Sequence, residues 1–349
     1  MVATSPLALL RRSSPACGEK DPRGPGAEHA ASAAPYHGLE KSHHHHLDGQ
    51  HSRDRYGFLA ERKASETGLQ PRLLRAADVP GWYAANGHIL TGYRAVRPST
   101  AACIASLTSL HNETANIWSH LVPALVALAG NYLVWAYFDT RFPGASWPDR
   151  AVFHVFLTGS VVCFGVSAAY HAMLCHSQAM HDLWLRMDYL AIVVQILGSF
   201  LSGIYMGFYC ETRLRGVYWT MIGILSLLTC IVVLHPRLQS KEHRILRLGT
   251  FVATGLSGFA PIIHAATMFP YAQLDKQAGI RYYYLEGVFL LVGAYAYAIH
   301  FPEKWHPVKF DIWGASHQIF HCAVVLAAVA HFDGLWSAYT YNYDNPRCS

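Results

Sequence analysis

The sequence predicts an all-α protein, a seven-transmembrane helix bundle with a disordered N-terminal arm. Only 14% of the 349 residues are charged and 52% are hydrophobic, whereas roughly 25% of residues are charged in a typical soluble domain. Seven apolar stretches each approach the roughly 20 residues that cross a bilayer core. Lipid offers no water to backbone groups, so the stretches must be helices, and short connections such as residues 210–216 make neighbouring helices antiparallel.

The N-terminal arm, residues 1–68, is rich in Pro, Gly, Ser, Ala, Arg and His and lacks periodic apolar positions. It cannot bury enough apolar surface to offset the entropy lost on ordering, so we expect it to be disordered. Four consecutive histidines at residues 43–46 could bind a metal weakly, but they are more typical of a solvated low-complexity tract. The first residues do not have the form of a signal peptide, so we expect no cleavage.

The rest of the chain divides into a juxtamembrane segment (residues 69–110), the bundle (111–335) and a short C-terminal tail (336–349). Trp82 and Tyr83 in the juxtamembrane segment are typical of a membrane interface. The predicted spans are residues 117–138, 152–170, 189–209, 217–234, 248–269, 282–301 and 312–332.

Seven spans place the two ends of the bundle's chain on opposite sides of the membrane. Cations flanking the spans are equally numerous on both sides, so Arg94 and Arg97 before the first span decide the orientation. By the positive-inside rule they favour a cytosolic N-terminus and an extracellular or lumenal C-terminus, in the plasma membrane or an endomembrane. Cys210 and Cys348 are then both outside the cytosol and could pair if they approach closely enough.

Charge and cysteine patterns narrow the function classes. Thirteen of the 27 Lys and Arg residues precede residue 98, so the net charge of +5 reflects a basic arm, and no basic and aromatic stripe predicts nucleic acid as a partner. The eight cysteines are scattered without a CxxC motif, which argues against a thiolate zinc site.

Two histidines, His317 and His321, open the seventh span four residues apart. Residues i and i+4 share a helix face, so both imidazoles can reach one point in space. This pair is either part of a metal site or a helix end that hydrogen-bonds to loops, because a short motif alone does not distinguish the two.

Counting crossings brings further residues to the same leaflet. His171 closes the second span and Asp188 opens the third, and the end of an even span lies on the same side as the start of an odd span. Ionisable groups at membrane depth tend to face an interior cavity and indicate function. Three histidines would leave the fourth position of a tetrahedral zinc open, so we predict a Zn²⁺ site of His171, His317 and His321. The alternative is a structural hydrogen-bond network between helix ends.

Other polar residues share this side of the membrane. Glu113, Asn116 and His120 are spaced for one helical face at the start of the first span, and we expect them to form a polar cluster there. Ser167 precedes His171 by one turn, and its hydroxyl could hydrogen-bond a metal-bound water or the outer nitrogen of a ligand.

The predicted site suggests hydrolysis. A zinc with an open position lowers the pKa of a bound water and polarises a carbonyl, as hydrolysis of an amide or ester requires. Asp188 would orient or deprotonate that water and pass its proton to the leaving group. We place Asp188 behind the ligands or bridged through water, although direct ligation stays open.

Three motifs resemble, in order, those of the progestin and adipoQ receptor family, which includes adiponectin receptors and hemolysin III-related proteins. They are residues 113–120 (Glu-Thr-Ala-Asn-Ile-Trp-Ser-His), residues 167–171 (Ser-Ala-Ala-Tyr-His) with Asp188, and residues 317–321 (His-Gln-Ile-Phe-His), and the likeness covers about residues 81–332. The resemblance implies a zinc held by the three histidines near the cytosolic face, and a cytosolic N-terminus.

The same resemblance implies a role in lipid metabolism and signalling, because adiponectin-receptor-like members have ceramidase activity. We therefore expect a membrane receptor that can hydrolyse a lipid amide. The alternative is a non-catalytic receptor, or a regulator of zinc or lipid homeostasis, in which the zinc is structural. Expected ligands or substrates are ceramide, a free fatty acid or a sterol, and an extracellular protein ligand is a further candidate.

Four polar residues lie inside spans and away from the predicted site: His154, Gln195, His264 and Glu286. Polar groups in a helical membrane bundle usually hydrogen-bond between helices. We predict that role for each of the four.

Overall fold

The computed structural model describes residues 72–239 and 243–348. This part of the chain contains seven helices that are long and apolar enough to cross a membrane, and its only β pairing is an isolated bridge between Leu74 and Tyr93. The predicted all-α, seven-span fold is confirmed. The predicted disordered arm, residues 1–68 with its four histidines, lies outside the described residues.

Six of the spans are single helices, and the fifth consists of two. The bounds of the first to fourth spans are Thr114–Arg141, Trp147–Met173, Gln178–Gly207 and Thr212–Leu234. The fifth comprises Arg244–Leu256 and Phe259–Met268, the sixth is Ile280–Ile299 and the seventh is Ser316–Asp344. Short helices at Thr100–Ala105 and Tyr271–Ala278 and 3₁₀ turns at Ala76–Asp78, Ser106–Thr108 and Pro236–Gln239 connect them.

Several helices extend beyond the apolar stretches that predicted them. The third begins at Gln178, so Asp188 lies not at its start but ten residues inside it, about 15 Å along the axis at 1.5 Å per residue. The seventh begins at Ser316, not residue 312, and continues to Asp344, so most of the predicted tail is helical. Hydropathy marks only the part of a helix that lies in hydrocarbon, whereas the helix itself continues into the interface.

The bundle has two ends, which we name from their contents. The histidine end contains the start of the first span, the end of the second and the start of the third and seventh. The disulfide end contains the opposite termini of these spans and the bond between Cys210 and Cys348, whose Cα atoms lie 5.0 Å apart. This bond ties the start of the fourth span to the chain just after the seventh, a pairing that the sequence left open.

Asp149 organises the disulfide end. Its carboxylate accepts hydrogen bonds from the Ser146 backbone at the start of the second span and from the hydroxyls of Tyr205 and Tyr209 on the third, at 2.7 and 2.8 Å. Asp149 is 5% exposed, and a buried carboxylate is tolerated only when it is hydrogen-bonded in this way. Beside it, aromatic side chains that include Phe138, Phe153 and Tyr339 pack into the largest hydrophobic cluster.

Arg94 joins the juxtamembrane segment to the histidine end. Its guanidinium donates to the backbone carbonyls of His171 and Ala172, at 2.7 and 3.0 Å, and to the Ser106 hydroxyl. The last carbonyls of a helix lack intrahelical donors, and a cation there also interacts favourably with the helix dipole. The buried guanidinium of Arg94 thus fixes the end of the second span, where His171 lies.

Three of the four isolated polar residues form the predicted hydrogen bonds between spans. His154 contacts Asn131, His264 contacts Tyr218 and Glu286 contacts His331. The prediction for Gln195 is wrong, because its side chain donates to Ser199 one turn along the same helix and its Oε1 atom has no partner.

Candidate metal centre

Three histidines converge at the histidine end of the bundle. His171 lies in the last turn of the second span, and His317 and His321 lie in the first two turns of the seventh. One ring nitrogen from each lies within 4.8 Å of the other two. The two spans therefore bring together side chains that are 146 residues apart in sequence, as the crossing count predicted.

The spacing of the ring nitrogens fits a tetrahedral metal. The Nε2 atoms of His171 and His317 lie 3.3 Å apart. Two nitrogens that each bind zinc at about 2.0–2.1 Å with a tetrahedral angle are separated by about 3.3 Å. If the His171 Nδ1–H donates to Glu113, His171 Nε2 presents a lone pair toward His317 Nε2, an arrangement that suits a cation shared by the two nitrogens.

Hydrogen bonds on the far side of two rings leave their Nε2 atoms free for a metal. His171 Nδ1 lies 2.8 Å from Glu113 Oε2, and His321 Nδ1 lies 3.2 Å from the Asn116 carbonyl and 3.1 Å from the Ser119 hydroxyl. A histidine whose Nδ1–H donates to oxygen presents a lone pair on Nε2, which is the usual arrangement behind a metal-binding imidazole. The donor set therefore fits Zn²⁺.

Glu113 has a role that the sequence did not predict. We expected it only in a polar cluster on one face of the first span, whereas it accepts hydrogen bonds from both His171 and Asn116, the latter at 2.7 Å. Burial opposes ionisation of its carboxyl group, but the hydrogen bonds from His171 and Asn116 outweigh burial and lower its pKa to about 2. The crossing count placed Glu113 on the correct side, but no sequence signal identifies its partner.

His120, the third member of the predicted polar cluster, lies beside the three converging histidines without joining them. Its ring stacks on that of His321, with 3.7 Å between centroids and 4° between planes, and its Nδ1 lies 2.8 Å from the Ser167 hydroxyl. Flat stacking orients the His321 ring. His120 Nε2 is buried and has no partner, so this nitrogen is available to another polar group.

Ser167 lies on the second span, one turn before His171, and Asp188 lies on the third span. The Asp188 carboxyl lies near the Ser167 hydroxyl and the His171 ring. Its oxygens are not among the three converging ligand atoms, which suits a residue that acts through water. The activation of water by Asp188 stays a prediction.

The loop before the seventh span fixes the first turn of the helix that carries two of the histidines. Buried Glu303 accepts hydrogen bonds from the backbone and hydroxyl of Ser316 and from Asn86. Burial opposes ionisation of Glu303, but the hydrogen bonds from Ser316 outweigh it and lower its pKa. Asp311 accepts three further bonds from Leu90 and Thr91. Sequence reasoning missed both carboxylates because they lie outside every span.

A seven-helix bundle with three histidines joined at one end defines a class of multi-pass integral membrane protein with a candidate metal centre. The family model described as haemolysin-III related matches residues 108–332, and the chain belongs to that family.

The curated relatives agree with this assignment. The chain is 37% identical over 274 residues to the adiponectin receptor protein of Drosophila melanogaster, covering 78% of this chain and 61% of that protein. It is 32% identical over 285 residues to the progestin and adipoQ receptor-like protein 1 of Caenorhabditis elegans, covering 79% and 65%. It is 33% identical over 296 residues to the ADIPOR-like receptor IZH2 of Saccharomyces cerevisiae, covering 80% and 92%. The alignments thus span a little under two thirds of the first two relatives' length.

Proposed function

We propose that this protein is an adiponectin-receptor-like membrane receptor with a zinc-dependent capacity to hydrolyse a lipid amide such as ceramide. The observation that carries the proposal is the 3.3 Å approach of two Nε2 atoms, with the His171 ring oriented from behind by Glu113. His171, His317 and His321 would hold the metal, and their three nitrogens leave a fourth position for the reacting group.

When bound there, Zn²⁺ supplies a Lewis acid that polarises a carbonyl and acidifies a water molecule. Asp188 would accept the proton of the attacking water and deliver it to the departing amine, so that the C–N bond breaks as the C–O bond forms. Ser167 would orient the Asp188 carboxylate, and His120 would hold the Ser167 hydroxyl from the other side. The surrounding apolar spans would accommodate the acyl chain.

We further propose that the histidine end faces the cytosol. The disulfide between Cys210 and Cys348 lies at the opposite end, and disulfides persist in the oxidising compartments outside the cytosol. This supports a cytosolic N-terminus and an extracellular or lumenal C-terminus. An extracellular protein ligand, as the name of the fly relative suggests, would then bind the disulfide end.

The second candidate function is a receptor or zinc and lipid regulator in which the metal is structural. The ligands come from the second and seventh spans, and their hydrogen-bond partners Glu113, Asn116 and Ser119 lie in or next to the first. A metal at this point would hold three spans together, and a lipid or sterol that changes their packing could signal without being cleaved.

The test is fatty acid release from ceramide by the full chain in lipid nanodiscs, with zinc and after chelation. The Asp188→Asn variant should retain zinc but lose turnover by about 10²-fold or more, as expected for loss of a general base. Asp182→Asn, which removes a carboxylate from the same helix, is the control and should retain turnover. Equal turnover in the Asp188 variant would refute its role, and no release by zinc-loaded protein would favour the structural metal.

A further inference from the structure

A second group of polar side chains, linked in a row by hydrogen bonds, lies between the spans away from the three converging histidines. Ser202 Oγ lies 3.2 Å from His331 Nε2, and His331 Nδ1 lies 2.8 Å from Glu286 Oε2. These residues come from the third, seventh and sixth spans. His331 follows His321 by ten residues on one helix, about 15 Å along the axis. The group is therefore separate from the metal centre.

The order of groups matches a nucleophile, a base and an orienting carboxylate. His331 Nδ1–H donates to Glu286, so that Nε2 carries the lone pair that can take the Ser202 proton. The His331 ring is held against Phe156, with 4.6 Å between centroids and 18° between planes. Ser202 and His331 are 0% and 3% exposed, so the hydroxyl and the base meet away from water.

Ser202 differs from another buried serine, Ser160, in the side chain that faces its hydroxyl. Ser160 on the second span is 2% exposed, and its hydroxyl donates to the Phe156 carbonyl one turn earlier. Ser202 Oγ likewise donates to the backbone, with the Gly198 carbonyl at 2.8 Å and the Ser199 carbonyl at 3.0 Å, but it also faces a histidine, toward which its O–H must turn before the proton can be transferred. The back-bond to the helix is the ordinary behaviour of serine in a helix, whereas the histidine and carboxylate are additional.

Tyr283 supplies an unpaired hydroxyl beside Gly203 and His331. Its ring lies 5.3 Å from that of His331, and its buried hydroxyl has no hydrogen-bond partner. A Cβ atom at Gly203, the residue after Ser202, would stand 3.3 Å from this hydroxyl and 3.7 Å from His331 Cε1. Glycine at position 203 thus leaves room for the Tyr283 hydroxyl against the third span. A free donor at such a position can stabilise an oxyanion.

One member of this polar group reaches the surface of the bundle. Glu286 closes the polar group on the sixth span, and its side chain is 20% exposed although it lies within a membrane-spanning helix. A carboxylate at membrane depth is costly and is a functional candidate by default. A substrate would reach the site from the lipid phase, which selects a long-chain acyl lipid.

We propose that Ser202, His331 and Glu286 form a second, metal-independent reaction centre that accepts the acyl group of a lipid ester. Ser202 Oγ attacks the carbonyl carbon while its proton moves to His331 Nε2, and the Tyr283 hydroxyl donates to the developing oxyanion. The ester C–O bond then breaks, and His331 returns the proton to the departing alcohol. Water, deprotonated by His331, cleaves the acyl-serine, releasing a fatty acid and restoring the Ser202 hydroxyl. This proposal does not depend on the proposed zinc chemistry.

The test uses a long-chain alkyl fluorophosphonate, which modifies activated serines covalently, on the full chain in nanodiscs. Mass spectrometry of the digested protein locates and counts the adducts over time. We expect an adduct on Ser202 that forms equally fast after chelation of metal and does not form in Ser202→Ala. Ser160→Ala is the matched control and should label at the wild-type rate.

Two further variants test the base and its partner. His331→Gln should slow labelling by about 10²-fold or more, the contribution of a general base, and Glu286→Gln should also slow it while keeping a side chain of the same shape. Thermal unfolding midpoints identify any variant that fails to fold. If His331→Gln fails to fold, Glu286→Gln tests the proposal in its place. No adduct on Ser202, or equal labelling of folded variants and wild type, would overturn the proposal and leave the group as a structural tie between spans.

Discussion

Two regions of the bundle each contain a glutamate and a histidine whose Oε2 and Nδ1 atoms lie 2.8 Å apart. The pairs are Glu113 with His171 at the histidine end, and Glu286 with His331 further along the seventh span. The difference lies in what faces the second ring nitrogen. His171 Nε2 faces another imidazole at 3.3 Å, whereas His331 Nε2 faces the Ser202 hydroxyl at 3.2 Å. The same pair thus supports a candidate metal ligand in one region and a candidate base in the other, and the group that faces the second ring nitrogen decides between them.

The largest effect should come from removing one of the converging imidazoles. His321→Ala deletes one of three ligands, so we expect zinc in the purified protein to fall from about one per chain to less than about 0.1, because two histidines alone do not complete a zinc site. Metal analysis after gel filtration measures this. His154→Ala removes a histidine that contacts Asn131 and should retain full zinc; equal zinc in the two variants would contradict the assignment.

The disulfide should affect stability without affecting the metal. Cys210→Ser removes a bond that links positions 138 residues apart, and loss of a native disulfide typically costs about 2–4 kcal/mol. We expect a lower thermal unfolding midpoint in detergent with unchanged zinc content. Mild reduction of the wild-type protein should reproduce the shift, and a parallel loss of zinc would show that the two ends are not independent.

Exchanging each carboxylate for its amide compares the two pairs directly. Glu113→Gln should weaken zinc binding by about 10–100-fold, the usual effect of losing a carboxylate behind a metal-binding histidine. Glu286→Gln makes the same change on an equally short contact and should leave zinc affinity unchanged. Competition with a fluorescent chelator measures both. Equal affinities would show that Glu113 does not act through the metal.

The smallest effect should come from Asp149, whose hydrogen bonds are satisfied within the protein. Asp149→Asn weakens acceptance from Tyr205 and Tyr209, and we expect a loss of about 1–2 kcal/mol in unfolding free energy, as for a buried hydrogen bond to a charged group. Zinc content should not change. Asp139→Asn, on a carboxylate 64% exposed and paired with Arg150, is the control and should shift stability much less.

The sequence predicted most of the fold because seven apolar stretches and their short connections leave little choice of architecture in a membrane. Its errors lie at helix ends. Asp188 is ten residues inside the third helix, and the seventh helix runs to Asp344, because the interface tolerates polar helical residues that hydropathy does not detect.

The candidate site was predictable to the extent that it depends on crossing number. Counting membrane crossings placed His171 and His321 on the same side of the membrane without knowledge of packing, and the structure brings them together. The link from Glu113 to His171 and the chain from Ser202 to Glu286 depend on helix rotation and lateral order. These are set by packing between spans that are distant in sequence, so hydropathy and spacing could not reveal them.

The most direct test of the central claim is zinc K-edge X-ray absorption on the wild-type protein in nanodiscs. We expect about one zinc per chain, bound by three histidine nitrogens at about 2.0–2.1 Å with one further light atom, and loss of this signal in His321→Ala. Protein without stoichiometric zinc, or a spectrum dominated by sulfur at about 2.3 Å, would contradict that claim.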